Sequence, residues 1–371
     1  MKKTFLCFFL LFLCFGVFSL TLSAESVDEI LDKTEEEIGY ASFFEMIPEE
    51  SLDFFERYGI DLSADAPALG LSDTVSFILS LFCDAISKHF PLFTTGLAMV
   101  LVFKLLSSLC RGRERLLESL GYLAVISSGA YSFTVIEGLL SSLTEITQQT
   151  SSFLTAALPV ISAAQIWSGS QAGAGMISAT LPVILTVLSS AVSTLYYPLC
   201  WFCYAASLSG FFRDKISLRP MVSSVKKFCT RGVEILSGLS VGVFCVQRAA
   251  VASANTVARK GVRFALLQVL PLAGGALTDG IETVYACGRS ICGRVGVLCV
   301  LAVAVLFATP CICGLFFVFL YSFLSSVASL FGVGLLTDFF ADIKDTFAMM
   351  TSFSLCALVV VSSALLLLTG G

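Results

Sequence analysis

Charge is scarce in this 371-residue chain. Asp, Glu, Lys and Arg make up 13% of it, hydrophobic residues make up 57%, and mean hydropathy is +0.92. A soluble globular domain carries about 25% charged residues, so that class is excluded. Histidine occurs once, at His89, and tryptophan twice. A single histidine leaves little material for acid–base or metal-ligand chemistry. No phosphate-cradling Gly-x-x-x-x-Gly-Lys loop, Gly-x-Ser-x-Gly elbow or His-Glu-x-x-His pair is present. The chain is therefore not expected to be an enzyme, to hold a metal or cofactor, or to bind nucleic acid. The short alternating segments of a transmembrane β-barrel are missing as well.

Apolar runs long enough to cross about 30 Å of hydrocarbon recur from about residue 90 onward. They predict an all-α, polytopic helical membrane protein. The formal net charge of −5 hides an asymmetry: residues 25–73 sum to −13, and everything from Thr74 onward sums to +6. An acidic arm thus precedes a mildly basic membrane body. None of the 14 cysteines lies in the arm, and most sit inside apolar runs, which argues against a disulfide framework. Cys200-x-x-Cys203 and Cys311-x-Cys313 read as small apolar packing residues.

Residues 1–24 have a basic start at Lys2 and Lys3, an apolar stretch, and Leu22-Ser23-Ala24 before the acidic run. This is the layout of a cleavable signal peptide, with an uncleaved anchor as the alternative. Residues 25–70 would then form a short extracytoplasmic arm. Helices are expected at 26–37 and 48–58, the second opened by Pro48 and offering Leu52, Phe54 and Phe55 for packing. Some 45 residues cannot build a core alone, so the arm should rest on the membrane body or on a partner.

Residues 71–371 form the membrane domain. Residues 71–90 are amphipathic and read as lying along the outer interface, with His89 as a polar anchor. A first span at 91–109 is followed by Arg111, Arg113 and Arg115, which places that loop in the cytoplasm. Residues 116–140 return outward. Segments 151–167, 176–197 and 198–212, two of them short and holding Pro159 and Pro182, lead back to a basic stretch at 213–231. They read as three crossings or as a re-entrant pair plus one span. Residues 295–322, 324–336 and 347–368 supply the remaining crossings.

Residues 247–286 stand apart. Arg248, Asn255, Arg259 and Arg263 follow one another at intervals of 7, 4 and 4, so a helix puts them on one stripe beside Gln247. Pro271, Gly274 and Gly275 then break the chain, and Asp279 and Glu282 share a face one turn apart. Charges and helix breakers at membrane depth are costly and mark a pathway or a contact surface. The stripe either touches lipid headgroups or lines a cavity or subunit contact. Topology is open here too. A full crossing at 232–247 would put the arginines outside, against the positive-inside rule; otherwise that segment dips and returns.

The same stretch resembles the stage III sporulation protein AE family of endospore-forming bacteria. The resemblance rests on Val246-Gln247, the run RKGVRF from Arg259 to Phe264, Pro271 with Gly274, Thr278-Asp279, Thr283-Val284 and Val295-Gly296. It extends more loosely to the signal peptide, the acidic arm and the proline-containing pair Ser151–Leu158 and Ala179–Val183. Asn255 departs from it, since the family commonly has an acid there. The resemblance implies a multi-pass protein of the mother-cell membrane surrounding the forespore. Its partners would be the other subunits of a sporulation channel or secretion-like complex, membrane lipid and further copies of itself. It brings no catalytic residue. Two other readings stay open: a secondary transporter built on the broken helix with Asp279 and Glu282, and a non-conducting membrane scaffold.

Overall fold

The structure, a computed structural model, describes residues 40–59, 71–110, 114–209, 219–269 and 274–369. Among them the chain is helical apart from short turns, without a strand. Two short helices, α1 (Tyr40–Met46) and α2 (Glu49–Arg57), precede the long ones. These are α3 (Leu71–Leu109), α4 (Glu114–Trp167), α5 (Gln171–Ser190), α6 (Tyr197–Ser209), α7 (Arg219–Val269), α8 (Gly274–Leu330) and α9 (Gly334–Thr369). A π-helical stretch, Ala191–Tyr196, joins α5 to α6 without a turn. Six helical segments among the described residues are long and apolar enough to cross a membrane: Val75–Leu109, Ser119–Trp167, Gln171–Leu208, Pro220–Ala258, Val284–Leu330 and Gly334–Leu366. The chain is thus an all-α polytopic membrane protein.

The helices are longer and fewer than proline positions suggest. α3 runs unbroken through Pro91, so 71–90 is not a separate interfacial helix. Residues 151–167 continue α4 through Pro159, and Pro182 and Pro310 lie inside α5 and α8. Residues 295–330 are one stretch of α8, so the break expected at 323 is absent. Apolar surroundings explain this: a proline costs one backbone bond, but in hydrocarbon an irregular backbone would leave several groups unsatisfied. The expected helix at 26–37 and the signal peptide lie outside the described residues.

The core is the antiparallel hairpin of α8 and α9. Phe317 packs on Phe347 with ring centroids 5.0 Å apart, Tyr321 stacks on Phe347 at 5.2 Å, and Gly314 gives room to Thr351. Phe307, Tyr321, Phe339, Phe340 and Phe347 are fully buried. Lipid tails are as apolar as these side chains, so close packing and hydrogen bonds hold the hairpin rather than water exclusion. One such bond joins Ser132 Oγ of α4 to the Tyr321 hydroxyl, 2.9 Å apart.

Neighbours assemble around this hairpin in a consistent register. α4 runs antiparallel to α8, with Ser132 beside Tyr321 and Trp167 beside Gly288. α3 runs parallel to α8, with Phe82 against Phe316 and Phe93 against Phe323. α7 runs parallel to α9, with Lys226 bonded to Asp342 and Ser237 near Cys356. Consequently the α3–α4, α6–α7 and α8–α9 junctions share one end of the bundle. The α4–α5 turn, the α7–α8 junction and the end of α9 share the other. α1 and α2 dock part-way up: Phe43 packs on Phe153, Phe54 on Phe77, and Ser51 Oγ donates to the Ala302 carbonyl at 3.2 Å.

Candidate functional site

α7 is one continuous helix from Arg219 to Val269. Residues 232–247 therefore do not dip and return, and the arginines of 247–286 stand at the opposite end of the bundle from the basic stretch at 213–231. At 51 residues α7 is about 77 Å long, more than twice a bilayer's hydrocarbon thickness of about 30 Å. Arg248 and Asn255 fall inside the apolar stretch Pro220–Ala258, and Arg259 and Arg263 follow it.

Gln247 is half-buried, with its Oε1 buried and without a hydrogen bond. Arg248 is exposed. Asn255 turns inward: its Nδ2 donates to Ser170 Oγ in the α4–α5 turn at 2.7 Å. Arg259 and Arg263 lie on the same helix, and their side chains are outside the described residues. Pro271 is outside them as well, within the junction between Val269 and Gly274. Gly274 opens α8, and Asp279 follows on its first turns with a side chain outside the description. Glu282 is exposed. Thus Asn255 is brought against another element, Arg248 and Glu282 face outward, and the described residues do not form one closed constellation.

What organises this end is the tight turn Ser168-Gly169-Ser170. Gly169 takes a left-handed φ of +76° against the ring of Tyr285, a conformation that side chains resist. Gly288 of α8 lies so close to the backbone of Trp167 and Ser168 that a Cβ there would overlap it. Small residues thus let α4, α5, α7 and α8 meet at one point. Gly169 and Gly173, a small-residue pair four apart, bracket this loop. The loop is where the close approach occurs.

Two buried cations also escaped the sequence reading. Lys226 belongs to helix α7 and is buried. Its Nζ donates to the Asp342 carbonyl at 2.7 Å and to Ser207 Oγ at 3.3 Å, tying α6, α7 and α9 together. Arg294 is buried on α8 and is not without a partner. A charge inside an otherwise apolar run was the available signal for Arg294. For Lys226 the neighbouring basic residues masked it. Cys200 and Cys203 are buried and free, and His89 is half-buried against Phe316 and Phe317. Among the described residues no group of His, Cys, Asp and Glu is placed to hold a metal ion. An apolar groove of about 420 Å³, lined by Ile126, Ala130, Phe133, Tyr204 and Leu208, lies between α4 and α6, away from this end.

Long helices, a charged end and helix contacts built on small residues define a polytopic helical membrane protein. Residues 55–370 match the family model described as stage III sporulation protein AE, and the chain belongs to that family. Among curated proteins it is similar to the stage III sporulation protein AE of Bacillus subtilis (strain 168), 23% identical over 221 residues. That alignment covers 58% of this chain and 53% of the relative, so the chain spans about half the length of the curated relative it matches. No solved structure matches.

Proposed function

We propose that the chain is a membrane subunit of the channel or secretion-like complex that links mother cell and forespore during spore development. The observation that carries this reading is the family match across residues 55–370. The form of α7 agrees with it. A helix whose apolar stretch, Pro220–Ala258, is itself longer than a bilayer core suits a subunit with contacts beyond the membrane. In this reading Arg111, Arg113 and Arg115 and the stretch 213–231 lie in the mother-cell cytoplasm. The arm and the stripe from Arg248 to Arg263 lie outside it, in the space facing the forespore. Partners would be the other subunits of the complex and further copies of this chain.

Deleting the gene in its spore-forming host tests the proposal. Development should stop after engulfment, with vegetative growth unchanged, and a wild-type copy should restore it. Normal spore yield in the deletion strain removes the reading.

A further inference from the structure

α5 and α6 form one continuous rod with a defect in the middle. Over Ala191–Tyr196 the helix widens to a π-turn, and the Tyr197 N–H reaches back five residues to the Val192 carbonyl instead of four. A π-turn holds one residue more than the α-turn it replaces. Pro198 follows directly and offers no N–H, so the backbone ladder is one bond short where its spacing changes.

The extra residue decides which side of α6 faces inward. Tyr196, Cys200, Cys203 and Ser207, at intervals of 4, 3 and 4, are buried. Ser207 Oγ accepts from Lys226 Nζ at 3.3 Å, and Tyr196, Cys200 and Cys203 stand near Cys229 of α7. One position back runs a second stripe with the same intervals: Leu195, Leu199, Phe202 and Ala206. Leu195 is 69% exposed and Phe202 is 47% exposed. If the π-turn relaxes to α, its extra residue passes into α6, which turns by about 100° and advances about 1.5 Å. Each inward position is then taken by the residue before it. Leu199 replaces Cys200, Phe202 replaces Cys203 and Ala206 replaces Ser207, so an apolar stripe of the same spacing stands where a polar one stood.

Little holds α6 to one register. Lipid tails and bundle interior are similarly apolar, so Leu199 and Phe202 lose little by changing sides. The buried Tyr196 hydroxyl has no partner except the Cys200 thiol, a weak one. What α6 does hold is the Lys226–Ser207 bond and the bond that the Tyr204 hydroxyl donates to the Gly129 carbonyl of α4. There is also room to turn. The groove of about 420 Å³ between α4 and α6 is bounded on the α6 side by Tyr204 and Leu208, the two side chains that also cover Gly129. In the α register Cys203 and Ser207 take those two places, and small side chains line the groove instead of a ring and a leucine.

We propose that α6 is a rotary gate. The π-turn at Ala191–Tyr196 lets it switch between two registers one residue apart, and the second register widens the groove between α4 and α6. Lys226, fixed by its bond to the Asp342 carbonyl, is the latch that selects the first register by holding Ser207. This switch lies within one chain and does not depend on the developmental role proposed above.

The test uses the full-length protein in membranes, with Cys200→Ser throughout, a short membrane-permeant thiol cross-linker, and mass spectrometry to identify the linked peptides. Cys203 linked to Cys229 reports the described register. Phe202→Cys with Cys203→Ser, again linked to Cys229, reports the second. Both links are expected, and absence of either means a single register and overturns the proposal. Ser207→Ala with Ala206→Ser moves the hydroxyl by one residue, so that only the second register satisfies Lys226. The yield of the position-202 link relative to the position-203 link should then rise about tenfold. An unchanged ratio overturns the role of Lys226 as latch. Deleting Ser193, which is exposed, removes the extra residue and leaves every residue of α6 in its described place. The position-203 link should persist and the position-202 link should be lost. Persistence of both links, or a deletion protein that no longer extracts as a monodisperse species, would show that the π-turn is not a removable insertion and overturns the mechanism.

Discussion

α7 and the α8–α9 hairpin are all long and apolar enough to cross a membrane, yet they meet opposite surroundings. In the most apolar 18-residue stretch of each, 78% of α8 and 72% of α9 is buried within the chain, against 6% of α7. α8 and α9 satisfy one another, with aromatic side chains interlocked at Phe317, Tyr321 and Phe347. α7 touches the rest mainly through Lys226, Ser237 and Asn255 and turns Phe228, Leu239 and Val246 away. Apolarity therefore reports depth in a membrane and not attachment to the chain's own core. The surfaces left over are where another molecule has to be considered.

The difference breaks most visibly at glycines. Gly288→Leu would drive a side chain into the backbone of Trp167 and Ser168 at the convergence of four helices. A cost of about 3 kcal/mol or more is expected, since backbone cannot yield as a rotamer can. The readout is loss of monodisperse protein after mild detergent extraction. Gly238→Leu on α7, where nothing lies within 4 Å, should leave the yield unchanged. Equal losses at the two glycines would mean that α7 is packed within the chain after all.

Phenylalanine truncation sharpens the same contrast. Phe347→Ala removes a fully buried ring that touches Phe317 and Tyr321, and should cost about 3 kcal/mol, seen as a lower thermal midpoint of the solubilised protein. Phe228→Ala removes a ring that is 78% exposed and should stay within about 0.5 kcal/mol of wild type. A large loss of stability at Phe228 in the wild-type assembly but not in isolated monomers would locate its packing between copies.

Much of this architecture was legible in the sequence. Low charge and repeated apolar runs gave the helical membrane class, and Pro48 with Phe54 and Phe55 marked α2. The arginine spacing from Arg248 to Arg263 gave a helix face. Helix lengths were not legible, because Pro91, Pro159 and Pro182 were read with their soluble-protein meaning, whereas an apolar environment keeps the helix going. Nor was the grouping at the α4–α5 turn legible. Ser170 and Asn255 are 85 residues apart, and the packing of α7 against the α4–α5 turn brings them together. Lys226 was hidden for a different reason. Its neighbours made it look like one more loop charge, while the carbonyl that holds it belongs to Asp342 of α9, 116 residues away.

The smallest expected effect tests how firmly α7 is tied down at its charged end. Asn255 donates to Ser170 Oγ, and Ser170 is buried. Asn255→Ala leaves that hydroxyl without its donor and should cost about 1 kcal/mol, read from the thermal midpoint. Asn255→Asp should cost less, because a serine hydroxyl can reverse and donate to a carboxylate. If this bond is the main tie, combining Asn255→Ala with Ser170→Ala should add little to either change alone, the signature of two groups that act through each other. Additive losses would mean instead that α7 and the turn are each held by other contacts. The exposed arginine side of α7 would then be anchored by its outer partners more than by this turn.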